Sequence, residues 1–153
     1  IQYCYAHLLR EVQDLEKELP DNREIRAFAG CMAPLLSEAM GLRSVDVGKL
    51  EFKRRADRIK RKIIKAVKKE AKHPGIRRIQ DIFRRNSARL YHWARDRDIP
   101  ADNNLAEREL RPLVIARKLS FGSQSDAGAR TREILMTVLQ TLKKQSDNPA
   151  ASF

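Results

Sequence analysis

The segment Pro100-Ala101-Asp102-Asn103-Asn104-Leu105-Ala106-Glu107-Arg108-Glu109-Leu110-Arg111-Pro112 carries the most chemically suggestive spacing in the sequence. Asp102 or Asn103 offers a side-chain oxygen that can cap a helix starting here. Glu107 then falls about one turn in, where the positive end of the helix dipole still favours a carboxylate. Arg108 and Arg111 crowd the same end. Pro112 lacks an N–H and is expected to bend or end the helix. A helix-borne carboxylate among arginines can ligate a divalent metal beside a phosphate. The same residues also suit an ordinary capped, salt-bridged helix. A second spacing is Cys4-x-x-His7. Two ligands cannot close a structural zinc site, which needs four, and Cys31, His73 and His92 are isolated. Spacing alone therefore favours a buried Cys and a hydrogen-bonded His. There is no glycine-rich phosphate loop of the G-x-x-x-x-G-K-[ST] type and no Ser-His-Asp arrangement. The polar loop 121–128 suits a phosphate contact or a plain helix connection.

The charge points the same way as the arginines. Residues 1–52 carry 6 Lys and Arg against 9 Asp and Glu, a net −3. Residues 53–97 carry 18 against 4, a net +14, and residues 98–153 carry 8 against 7. All the excess positive charge sits in one block, which suggests a polyanionic partner, most plausibly nucleic acid. A solvated basic helix face is the plainer alternative. Apolar runs such as 113–116 are too short to cross a membrane. Two cysteines make no disulfide framework, so a reducing cytoplasm is the default setting. The sequence opens on Ile1 and reads as a piece of something longer.

These residues need helices to hold them. Breaks fall at Pro20-Asp21-Asn22, over 41–48 with Ser44 and Asp46 as possible caps, at His73-Pro74-Gly75, at Asp98-Ile99-Pro100, and over 120–128; the tail from 146 is expected to fray. Between the breaks the apolar period is helical. Leu8, Val12, Leu15 and Leu19 make one stripe; Ile25, Phe28, Met32, Leu35 and Leu36 make another. Phe52, Ala56, Ile59, Ile63, Val67 and Ala71 form the cleanest stripe, with Lys and Arg on the other faces. Ile76, Ile79, Phe83, Leu90 and Trp93 continue it after a short turn, giving a helical hairpin. Leu110, Leu113 and Val114 belong to a further helix, and Ile134, Leu135, Val138, Leu139 and Leu142 to the last. Only 1–5 alternates like a strand. The expected fold is mainly α, with at most one short strand.

Cys4-Tyr5-Ala6-His7-Leu8-Leu9-Arg10 resembles the C-W-A-H-x-R-R segment of the insertion sequence 66 family of bacterial transposases. Residues 103–112, Asn-Asn-Leu-Ala-Glu-Arg-Glu-Leu-Arg-Pro, resemble its N-N-x-x-E-R-x-L-R-P segment. The likeness continues through Ile115-Ala116-Arg117-Lys118 and Ser125-Asp126-Ala127-Gly128; residues 20–97 match only in helical and basic character. The resemblance implies a ribonuclease H-like core with an Asp-Asp-Glu triad that cuts and joins DNA using two Mg²⁺ (or Mn²⁺) ions. It makes Glu107 the third acid and a metal ligand, and it brings His7 forward as an active-site residue. Tyr5 stands where Trp is usual. The two Asp residues of the triad are expected upstream of Ile1, so the chain alone is expected neither to hold Mg²⁺ tightly nor to cleave DNA.

The resulting expectation is the C-terminal part of a transposase catalytic domain. Residues 1–18 begin its core segment with a strand and helix. Residues 19–97 are an all-helical basic insertion, 98–146 are core-closing helices with the catalytic Glu, and 147–153 are a flexible tail. The insertion is expected to grip DNA backbone through Arg54, Arg55, Arg58, Lys60, Arg61, Lys65 and Lys68, in contacts blind to sequence. Arg108, Arg111, Arg117 and Lys118 are candidates for phosphates near the cut. Expected partners are transposon-end and target DNA and, by resemblance, further copies of the chain, in the bacterial cytoplasm and away from membranes. The rival reading is a non-catalytic helical nucleic-acid-binding or regulatory module that has no use for Glu107. The two diverge at Glu107: an open, metal-competent site beside His7 for the first, an ordinary surface ion pair for the second.

Overall fold

A computed structural model describes residues 4–119 and 125–145. Among these residues seven α-helices follow one another: α1 (Tyr5–Glu18), α2 (Arg23–Gly41), α3 (Lys49–Lys68), α4 (Pro74–Arg85), α5 (Ser87–Leu90), α6 (Asn104–Leu119) and α7 (Asp126–Gln145). Short 3₁₀ turns lie at Leu42–Ser44 and His92–Ala94. There is no strand among the described residues, so the mainly α expectation holds. Of the strand-like stretch 1–5, residues 1–3 lie outside the described ones. Cys4 is extended and Tyr5 already opens a helix. No described helix is long and apolar enough to cross a membrane.

The chain divides into two compact units between Asn103 and Asn104. In the first, the stripes read from the sequence become the buried faces, except that Leu19, just past α1, is exposed and Ala71 falls beyond the end of α3. Leu8 and Val12 of α1, Ile25, Met32, Leu35 and Leu36 of α2, and Phe52, Ala56, Ile59, Ile63 and Val67 of α3 all turn inward. Ile76, Ile79 and Phe83 of α4, with Leu90 and Trp93 beyond it, complete the core. Tyr5 is almost fully buried and meets the rings of Phe83 and Trp93 edge-on, at centroid distances of 5.9 and 5.8 Å. Such pairs add about 0.5–1.5 kcal/mol each beyond the area buried.

Polar contacts fix the connections. Asn22 caps α2 by accepting from the backbone N–H groups of Glu24 and Ile25. The Glu24 carboxylate accepts from the N–H groups of Lys72 (2.7 Å) and His73 (3.0 Å), tying the α3–α4 turn to the start of α2. His73 Nδ1 accepts from the Gly75 N–H. A Cβ on Gly75 would come within 2.8 Å of a Leu15 methyl, so the start of α4 lies close against α1 there and a larger residue would make that side chain shift. Gln80, buried in α4, donates to the carbonyls of Ala66 and Lys69 and closes the C-terminal end of α3. The Arg97 guanidinium donates to the carbonyls of Arg43, Val45 and Val47 and lies over the Phe52 ring, holding the loop before α3.

Two local expectations need correcting. Neither Ser44 nor Asp46 caps α3; Gly48 holds the cap position, with no side-chain hydrogen bond. Pro112 does not end α6, which runs on to Leu119. The proline costs one hydrogen bond, to the carbonyl of Arg108. Arg108 is exposed, so water can satisfy that carbonyl. Pro34 is likewise accommodated within α2, on an exposed position.

In the second unit α6 and α7 carry no buried residue among those described. Leu110, Val114 and Ile115 of α6 and Ile134, Leu135 and Val138 of α7 are all exposed.

Candidate functional site: a basic helix face and a helix-borne carboxylate

The basic block becomes α3 and the elements after it. With Phe52, Ile59 and Ile63 turned to the core, the helical repeat puts Arg54, Arg58, Arg61, Lys65 and Lys68 on the opposite side. They fall within an arc of about 80° and extend over about 21 Å at 1.5 Å per residue. All five are exposed. Arg55 lies to one flank, half-buried. Lys60 lies to the other, its Nζ 5.5 Å from the centre of the Tyr91 ring. Five of the seven candidates from the sequence thus share one face, and Arg55 and Lys60 border it.

The two halves of this face differ electrostatically. Glu51 accepts from Arg55 Nε at 2.7 Å and pairs with Arg54 at 2.8 Å. Hydrogen bonds from Arg55, then Arg54, hold its carboxyl below the usual carboxylate range. Arg58 reaches Glu38 of α2 at 3.2 Å. Arg61, Lys65 and Lys68 pair with no acid among the described residues. Arg54, Arg55, Arg58 and Arg61 together with Glu51 line a recess of about 340 Å³. The sequence reading missed both acids. Glu51 was legible at three and four residues before Arg54 and Arg55. Glu38, twenty residues from Arg58, was not.

The other cations of the block are divided between roles. Arg84 pairs with Asp81 and donates to the Val67 carbonyl, and Arg78 pairs with Glu11 of α1. With Arg97, these side chains bind the unit together as well as charging its surface.

At the beginning of the first unit, Cys4 is buried and its Sγ accepts from the Asn103 N–H at 3.1 Å. The Tyr5 N–H donates to the Ala101 carbonyl. The first and last described residues of this unit therefore meet side by side. His7 lies on the exposed side of α1, while Leu8 beside it enters the core. Burial raises the Tyr5 phenol far above its ordinary value, partly offset by the neighbouring Trp93 indole. Burial also pushes Tyr91 up to about 12. Both phenols are held neutral and are packing groups at ordinary pH.

In the second unit α6 begins at Asn104, directly after Asn103, and Glu107 occupies its first turn, exposed. Arg108, Arg111, Arg117 and Lys118 are exposed along the same helix. By the helical repeat Arg111 and Lys118 share the Glu107 side, and Arg108 and Arg117 flank it. Glu109 points elsewhere and pairs with Lys144 of α7 at 2.9 Å.

Comparison with known proteins adds a family. A family model described as "Transposase IS66 family" matches residues 1–131. An uncharacterized protein, y4qI, of Sinorhizobium fredii (strain NBRC 101917 / NGR234) is 38% identical over 60 residues. That alignment covers 39% of this chain and 11% of the relative, so the chain aligns with only about a tenth of that curated protein. No solved structure matches.

Proposed function

The chain belongs to the IS66 family of transposases, and on that premise we propose that it is part of an enzyme that cuts and joins DNA strands. The observation that carries this reading is the family match over residues 1–131, which takes in Cys4–His7, the basic helical block and the Glu107 segment together. In it, residues 1–18 and 98–146 belong to a ribonuclease H-like core interrupted by the helical residues 19–97. The pairing of Tyr5 with Ala101 and of Cys4 with Asn103 supports the interruption. The residues that meet lie in the core segments on either side of the insertion, so the insertion need not pull that core apart.

Glu107 is the third catalytic acid and a metal ligand in this reading, and His7 an active-site residue. A carboxylate is a hard oxygen donor of the kind Mg²⁺ and Mn²⁺ take, and Glu107 is exposed in the first turn of α6. Such ions, when bound, activate the attacking oxygen and stabilise the leaving one. The exposed cations beside Glu107, Arg111 and Lys118 foremost, hold DNA phosphates near the cut. The α3 face grips the backbone farther off, through charge and without reading bases.

The test is a matched pair of variants in the whole transposase. Glu107→Gln keeps the side chain's shape and removes the charge, so strand cleavage is lost while folding and DNA binding persist. Glu109→Gln, about 200° around the helix and engaged with Lys144, leaves cleavage within a few-fold. Near-normal cleavage by Glu107→Gln would mean that Glu107 is not the third acid and would favour the non-catalytic module.

A further inference from the structure

The recess on α3 already holds an anion, and that anion is the chain's own. Four guanidinium groups, Arg54, Arg55, Arg58 and Arg61, line it, and the Glu51 carboxylate bonds to two of them at 2.7 and 2.8 Å. Glu38 reaches a third from the neighbouring helix. We propose that this recess is a phosphate-binding site for the DNA backbone, and that Glu51, seconded by Glu38, is a built-in competitor that weakens and localises binding. The proposal rests on the DNA-binding reading of the α3 face and adds a site and a regulator to it.

The argument is one of matched chemistry. A phosphodiester oxygen and a carboxylate oxygen make the same charge-assisted bonds to a guanidinium. Glu51 and Glu38 therefore occupy donors that a phosphate would use. Exposed pairs of this kind are weak, so an arriving phosphate can displace them. They still impose two costs on binding: the pair must open, and the released carboxylate repels the incoming backbone. The far end of the face, Lys65 and Lys68, lies outside the recess and pairs with no acid among the described residues. DNA therefore engages that end first and fills the recess second. Arg55 and Arg54 hold Glu51 ionised below the usual carboxylate range, so the competitor stays charged throughout the neutral region.

The experiment measures binding of the 153-residue chain to a 30-base-pair duplex by fluorescence anisotropy across a salt series. Glu51→Gln keeps the side-chain shape and should tighten binding about three- to fivefold at low salt, with Glu38→Gln giving a smaller gain. The log–log salt slope should steepen by about one for each extra phosphate engaged. Glu18→Gln on α1, which lines a different recess with Gly75 and Arg78, removes the same charge and should change little. Circular dichroism melts check that each variant folds as the parent does.

The arms separate two failures. Reversal of Lys65 and Lys68 to Glu, which leaves the recess intact, should remove most binding; unchanged binding would sink the DNA-binding reading itself. If that reversal works but Glu51→Gln leaves affinity unchanged, or Glu18→Gln tightens binding equally, the competitor is refuted and the footprint survives. Titration with inorganic phosphate tells a free anion from a backbone. Tightening for phosphate alone, with none for duplex, overturns the assignment.

Discussion

The described residues of the first unit, 4–103, and of the second, 104–119 and 125–145, are both mainly helical, and both carry apolar stripes at helical spacing. In the first unit the stripes close on one another, and Tyr5, Met32, Ile59, Ile63 and Phe83 are all but sealed from water. In the second, Leu110, Val114, Ile134 and Leu135 stay about half exposed, and none of its described residues is buried. Amphipathicity is thus a capacity to pack, and a helix acquires tertiary stability only when a partner face is present. The first unit has five α-helices that contribute to one core. The described part of the second has two.

The largest effect separating the two units is expected in hydrogen exchange. Opening free energies run from near zero in weakly held segments to the global value in a core. Amides in α2 and α3 should exchange at least about 1000-fold more slowly than those in α6 and α7. Equal protection in both would break the contrast.

Point substitution tests it next. Tyr5→Ala removes a large ring from the middle of the aromatic cluster and should cost about 3–5 kcal/mol in urea unfolding. Val138→Ala, on an exposed position of α7, should cost within about 0.5 kcal/mol. A large loss at Val138 would show that the second unit has a tight core of its own.

Alkaline pH sharpens the contrast further. Folding raises the pKa of Tyr5 and Tyr91, so their contribution to stability is intact below pH 10 and is lost above it, as the unfolded chain ionises and the folded one does not. By pH 11 each should have cost about 1.4 kcal/mol. Tyr91→Phe should remove its share of this alkaline loss, as read by urea unfolding at pH 8 and pH 11. A similarly small effect is expected at Glu109→Gln, an exposed ion pair with Lys144, at under about 1 kcal/mol in the same unfolding measurement.

Much of the first unit was legible in the sequence. The stripe Phe52–Ala56–Ile59–Ile63–Val67 gave both the helix and its buried face, and by subtraction the basic face opposite. Asn22 and the His73-Pro74-Gly75 turn marked true boundaries because their chemistry acts within a few residues. The caps of α3 and the end of α6 were misread for a related reason. Ser44 and Asp46 are able to cap, and Pro112 is able to break, but neither capacity decides alone when neighbouring bonds and water can compensate.

For the candidate site the division is similar. The motif residues placed Glu107 on a helix, since short-range spacing suffices for that, whereas the strand-like reading of 1–5 missed that Tyr5 already opens α1. The burial of Cys4 against Asn103, ninety-nine residues away, was not legible. Nor was the pairing of Arg58 with Glu38 across two helices.

The sequence by itself determined the helices, their inward faces and the concentration of positive charge on α3. These depend on side chains three or four residues apart, whose relation the helical repeat sets. Only the tertiary structure decided that the two ends of the first unit meet, that Glu24 and Arg97 hold its turns, and that Glu38 of α2 reaches Arg58 on the basic face. Those contacts join residues tens of positions apart. Their geometry is set by how whole helices pack, and no local repeat encodes it.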